Sequence, residues 1–175
     1  MENGGLANMI DNELDVLAQR VGAALGASGA VLATAESCTG GWISAAITAV
    51  AGSSTWFDRG FVTYSNAAKQ AMLGVSAPTL EQHGAVSEQT ALAMVDGALG
   101  RSDASVAVSV SGVAGPGGGL PAKPVGTVCI AWGTAGGIRE VRTFHFPGDR
   151  TAVRRQSVIE AMTGVIAMAG RSEIA

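Results

Sequence analysis

Two hydrophobic periods alternate along this chain. Between residues 12 and 25, Leu14, Leu17, Val21, Ala24 and Leu25 recur at helical spacing, and the glycines at 26 and 29 close the pattern. An amphipathic first helix is predicted there, preceded by a loose tail over residues 1–11. The short apolar run AVLATA (30–35), bounded by turn residues, reads as a strand, and the small-residue segment GGWISAAITAV (40–50) as a helix closed by AGSS. Residues 57–64 are a second strand candidate, 66–74 a short helix, and 87–100 a longer helix opened by Ser87 as N-cap. ASVAVSVSG (104–112) is β-branched or small at nearly every position, the pattern of a central strand buried on both faces. GTVCIAWGT and IREVRTFHF are joined by AGG, a hairpin signal, and Asp149 is placed to cap a last helix through VRRQSVIEAMTGVIAMA.

Strands alternating with helices in this way predict an α/β fold: a three-layer α/β/α sandwich around a mixed, mostly parallel sheet of about five strands. The domain should run over 12–170, with a second tail at 171–175. A chain of 175 residues is long enough for one domain with a substantial core. Its 47% hydrophobic and 14% charged residues exclude disorder and coiled coil. The net charge of −3 leaves no basic footprint for nucleic acid, since the arginines that cluster, Arg150, Arg154 and Arg155, fall at one helix start. No apolar run reaches the roughly 20 residues needed to cross a bilayer, and the terminus MENGGLANMIDNE is acidic where a signal peptide would be basic, so no membrane is expected and a cytoplasmic location is. Cys38 and Cys129 are the only cysteines, and His83 and His145 lie far apart in sequence, so reduced thiols and no metal are expected.

In open α/β sheets ligands sit beyond the carboxyl ends of strands. Two glycine-dense loops fall there, ESCTGG after the first strand and SGVAGPGGGLPAKP (111–124) after the central one. Glycine admits close backbone approach, and N–H groups at a helix start favour an anion. Neither loop matches the phosphate-loop or dinucleotide fingerprint, so ATP and NAD are not inferred and no cofactor is expected. Within ESCTGG, Ser37 sits at a strand-to-helix turn, the position of an acyl-transfer nucleophile, and equally that of an N-cap. Cys38 is an alternative nucleophile or a buried packing residue. A serine needs a base. His145, His83 and Lys69 are the candidates; Lys69 is favoured by its otherwise apolar segment, and as a base its pKa must fall by about three units from near 10.4.

The motifs ESCTGG, GSS (52–54), TYSN with Lys69, GAVSE (84–88), SGVAGPGGG (111–119), KPVGTV (123–128) and GDR (148–150), in this order, resemble the carboxy-terminal domain of the CinA (competence/damage-inducible) family, in particular its stand-alone nicotinamide mononucleotide deamidases. The resemblance runs from about residue 12 to 169. It implies Ser37 as nucleophile, Lys69 as its base and Tyr64 as the group steering the lysine. The implied reaction converts nicotinamide mononucleotide into nicotinate mononucleotide and ammonia without metal or cofactor. N–H groups at Thr39, Gly40 and Gly41 are then expected at the oxyanion. Asn66, Ser111, Gly112, Gly115, Gly117, Gly118 and Arg150 are expected around the substrate and its phosphate. A homodimer is the expected assembly. Two other classes stay open at this stage, a nucleotide-binding regulatory module without turnover and a hydrolase of another amide or of a nucleotide phosphate.

Overall fold

The computed structural model describes residues 4–171. Within them the chain runs α1 (Gly4–Ser28), β1 (Leu32–Glu36), α2 (Trp42–Thr48), β2 (Phe57–Val62), α3 (Asn66–Leu73), α4 (Ala77–His83), α5 (Glu88–Gly100), β3 (Val106–Gly112), β4 (Thr127–Thr134), β5 (Arg139–His145) and α6 (Arg150–Ala169). The strands form one sheet in the order β2-β1-β3-β4-β5. β1 pairs in parallel with both β2 and β3, while β4 is antiparallel to β3 and to β5. Four strands therefore share one direction and β4 alone is reversed, which is the mixed, mostly parallel sheet the sequence predicts.

The layers follow from the two-residue period of the strands. Val106, Val108 and Val110 of β3 and Val128, Ile130 and Trp132 of β4 enter the cluster formed with α1, α2 and α6. Their alternates Ala107, Cys129 and Ala131 join Ala33 and Ala35 of β1 against Met94, Val95 and Ala98 of α5. Large residues face one layer and small residues the other, so α5 lies close over the sheet and α3 packs outside it. That packing leaves no room at Gly97, where a Cβ would lie 2.1 Å from the Leu73 carbonyl oxygen. Gly97→Ala should thus cost roughly 1–3 kcal/mol of stability despite the better helix propensity of alanine. Thermal unfolding checks this; an unchanged or raised Tm would contradict the close approach.

Two elements differ from the sequence reading. Helix α1 begins at Gly4, so residues 4–11, expected as a tail, continue the helix. A helix nucleated by the apolar face from Leu14 extends outward by one hydrogen bond per residue and needs no apolar pattern of its own. Residues 1–3 and 172–175 of the expected tails lie outside the described residues; Arg171 ends the chain described, its N–H donating to the Met168 carbonyl at 3.0 Å. Helix α4 has no counterpart among the elements the sequence predicts; His83 is its last residue. Only Leu80 of α4 is buried, so no apolar period marks it, although Ser76 caps it by accepting from the Thr79 N–H. The predicted caps Ser87 and Asp149 do accept from the Thr90 and Ala152 N–H groups. No helix among the described residues is long and apolar enough to cross a membrane.

Candidate active site

Strand β1 delivers Glu36 and Ser37 to the carboxyl end of the sheet, where the Ser37 N–H still donates to the Val110 carbonyl of β3 at 2.9 Å. The chain then turns through Gly40 and Gly41, both left-handed at φ 61 and 95, conformations that only glycine adopts without strain. Gly41 is the N-cap of α2, so Ser37 is not a helix cap. That task falls to the fully buried Glu36, whose carboxylate accepts from the N–H groups of Gly41, Ile43 and Ser44 and from the Ser44 hydroxyl, at 2.9 to 3.1 Å. A carboxylate at a helix start also meets the positive end of the helix dipole.

Lys69 comes from α3, which Ser65 starts by accepting from the Ala68 N–H. Its side chain turns inward and is 1% exposed. Nζ lies 3.0 Å from Ser37 Oγ and donates to the Thr63 carbonyl at 2.8 Å. Burial pushes the Lys69 pKa below its ordinary value of 10.5, with a small opposing influence from Cys38. Desolvation disfavours the ammonium, and among the described residues no carboxylate forms an ion pair with it to restore the charge. A neutral Nζ has a lone pair for the Ser37 proton. The neighbouring Cys38 thiol is pushed up to about 11 by burial, against smaller lowering influences from its backbone hydrogen bond and the Arg154 and Lys69 charges, and so stays protonated at neutral pH.

Ser37 and Lys69 line a cleft of about 190 Å3 with Cys38, Tyr64, Asn66, Ser111, Gly112 and Arg150. Ser111 is anchored by donating its hydroxyl to the Ala85 carbonyl at 2.6 Å. Arg150, first residue of α6, donates to the Gly115 carbonyl at 2.7 Å and to the Tyr64 hydroxyl at 2.9 Å. Tyr64, expected to steer the lysine, is 63% exposed and makes no hydrogen bond to Lys69: the carbonyl of the preceding residue, Thr63, holds Nζ, and the phenol accepts from Arg150. Asn66 likewise makes no bond to Nζ.

The other expected residues stand back from the cleft. Gly117 and Gly118 are exposed beyond its lining, and Gly115 reaches it only through its bond to Arg150. The Gly40 N–H is taken by the Ser37 carbonyl at 3.0 Å and the Gly41 N–H by Glu36, so neither is free for an oxyanion. The Thr39 amide makes no hydrogen bond among the described residues and the Cys38 amide meets only its own thiol; Thr39 is itself fully buried. His83 and His145 line a separate cleft of about 500 Å3 with Lys123, on the far side of Val86, and neither lines the Ser37 cleft. Among the described residues no group of His, Cys, Asp or Glu is arranged to hold a metal ion.

Sequence reasoning did not single out Glu36, Thr63 or Arg154. A carboxylate ending a buried strand just before a glycine turn was a legible capping signal. The Thr63 contact is made by a backbone carbonyl and leaves no mark in residue identity.

Residues 14–169 match the family described as CinA C-terminal domain. The chain is 56% identical over 154 residues to the nicotinamide-nucleotide amidohydrolase PncC of Escherichia coli strain K12, covering 88% of this chain and 93% of that protein. It is 54% identical over 153 residues to the protein of the same name from Pseudomonas putida, covering 87% and 95%. The crystal structure of the competence/damage inducible protein CihA from Agrobacterium tumefaciens superposes with a TM-score of 0.87 at 47% identity, over 89% of this chain and 94% of that one. With the whole sheet, the Ser37 turn and the Lys69 helix inside the matched span, this chain belongs to the CinA C-terminal domain family.

Proposed function

We propose that the chain is an amidohydrolase that converts nicotinamide mononucleotide into nicotinate mononucleotide and ammonia, with Ser37 as nucleophile and Lys69 as general base. The observation that carries this reading is the buried Lys69 amine, its pKa lowered by desolvation, 3.0 Å from the Ser37 hydroxyl at one cleft. The names of the relatives support the choice of amide and nucleotide.

Ser37 Oγ attacks the carboxamide carbon as its proton passes to Lys69 Nζ. The oxygen of the tetrahedral intermediate takes the negative charge and is met by the Cys38 and Thr39 N–H groups. Collapse breaks the C–N bond, and the Lys69 ammonium hands its proton to the departing amide nitrogen, which leaves as ammonia. A water then attacks the acyl ester while Lys69 again takes a proton, which returns to Ser37 Oγ as nicotinate mononucleotide leaves. Lys69 thus begins and ends neutral. The ring and carboxamide occupy the cleft, and the phosphate lies outward, toward Arg150, whose guanidinium the Tyr64 hydroxyl and Gly115 carbonyl hold at the rim.

Ammonia release from purified protein given nicotinamide mononucleotide tests the reading; no release above the uncatalysed rate would end it. Nicotinamide riboside, which lacks the phosphate, should be the poorer substrate. Losing charge-assisted hydrogen bonds of roughly 1.5–3 kcal/mol each lowers kcat/KM by at least about tenfold. Equal kcat/KM for the two compounds would remove the phosphate site from this account.

A further inference from the structure

Every peptide group from Glu36 to Gly41 is held by a named partner. The Ser37 N–H is bound by Val110, the Ser37 carbonyl by the Gly40 N–H, and the Gly41 N–H by Glu36. The Cys38 and Thr39 carbonyls between them are gripped from the far end of the sequence, the Thr39 carbonyl also accepting from the Trp42 N–H at 3.2 Å. Arg154 of α6 donates Nε to the Cys38 carbonyl and Nη2 to the Thr39 carbonyl, both at 3.0 Å. Its guanidinium carbon lies 5.3 Å from the centre of the Trp42 ring in α2. Trp42 follows Gly41 directly, so the ring that carries the guanidinium is attached to the turn the guanidinium holds.

In a trans peptide the C=O and N–H point in opposite directions. Fixing the Ser37 and Cys38 carbonyls therefore fixes the Cys38 and Thr39 N–H groups pointing the other way. Among the described residues the Thr39 N–H has no partner and the Cys38 N–H has only its own thiol. A cation on the Cys38 carbonyl also polarises that peptide and strengthens its N–H as a donor. Arg154 makes no contact with Ser37 Oγ or Lys69 Nζ and does not line the cleft.

We propose that Arg154 is a positioning residue that acts through the Cys38 and Thr39 carbonyls, holding the Thr39 amide, which shares a peptide with the Cys38 carbonyl, in the orientation that receives the oxyanion. The inference rests on the serine–lysine amidase reading above. Pre-aimed dipoles stabilise charge that develops only in the transition state, so the effect belongs in kcat. A planar fork spanning two carbonyls while stacked on an indole is specific to arginine; an ammonium is a point donor.

The test is steady-state kinetics of Arg154→Lys and Arg154→Gln with nicotinamide mononucleotide, alongside Trp42→Leu, which keeps the arginine and removes the surface it rests on. Loosening the oxyanion donors by about 1 Å is expected to lower kcat on the order of a hundredfold in both Arg154 variants, and less in Trp42→Leu. KM should stay within about twofold, because the amides bind the oxyanion more strongly than the ground-state carbonyl. The pH midpoint of kcat should not move, since Lys69 keeps its surroundings. Wild-type kcat in Arg154→Lys would show that charge alone suffices and overturn the proposal, as would a loss confined to KM or a shifted pH midpoint. If neither Arg154 variant folds, Trp42→Leu decides by the same criteria, and its unchanged kcat would also overturn the proposal. Failure of the amidase reading is distinguishable: it would show as absent ammonia release by the unsubstituted protein, or as full turnover in Ser37→Ala.

Discussion

Ser37→Ala should lower kcat for ammonia release by about a thousandfold or more, while Cys38→Ala keeps most of the activity. Without a hydroxyl there is no acyl acceptor, and the residual rate would come only from binding and the oxyanion donors. The adjacent thiol cannot substitute. With its pKa pushed up to about 11 by burial, roughly one Cys38 in ten thousand is thiolate at pH 7. Cys38 is 6% exposed and belongs to the apolar cluster under α2 and α6, so its replacement should register in Tm more than in turnover. Nicotinamide mononucleotide should still bind Ser37→Ala, because the groups proposed for its phosphate lie elsewhere, and isothermal titration can show it. Loss of turnover in Cys38→Ala with retention in Ser37→Ala would reverse the assignment.

Lys69→Arg should be nearly as damaging as Lys69→Ala, each lowering kcat by about 10^2- to 10^4-fold, the usual contribution of a general base. A guanidinium stays protonated and cannot accept the Ser37 proton. In the wild type, turnover should rise with pH through the pKa of Lys69, at a midpoint below the 10.5 of an ordinary lysine because burial disfavours the ammonium. The same depression has a consequence for stability. Between the folded and unfolded pKa values the unfolded chain binds more protons at this site, so unfolding free energy rises with pH across that window. The wild type should therefore gain stability relative to Lys69→Met as pH rises from the folded pKa toward about 10.4, and denaturant titrations at several pH values measure the difference. Full turnover in Lys69→Arg would dismiss the dyad. A stability difference that does not change with pH would mean that Lys69 is not depressed in the folded state.

The end of the cleft proposed for the phosphate was only partly legible. GDR marked Arg150 and the glycine loop marked the region, yet the structure brings Arg150 to the cleft and leaves Gly117 and Gly118 outside it. Glycine density records where a backbone can bend; which bend faces the ligand depends on strands on either side. Tyr64 shows the same limit. Five residues before Lys69 in sequence, it instead bonds Arg150, 86 positions away.

By itself the sequence determined the alternation of elements, the capped starts of α5 and α6, the buried central strand and the glycine turn that presents Ser37. All of these rest on interactions within a few residues: apolar periodicity, a cap side chain reaching the third N–H, a left-handed glycine. Tertiary structure alone decided that Lys69 is buried, that its amine meets a hydroxyl 32 residues away, and that α6 reaches over α2 to hold the carbonyls of Cys38 and Thr39. A lysine on a helix has no local property that separates a solvated ammonium from a desolvated amine. The difference arises only when α3 packs against α5 and the Lys69 side chain is buried beside the end of β1, because a pKa responds to the dielectric and the charges around the group and not to its neighbours in the chain.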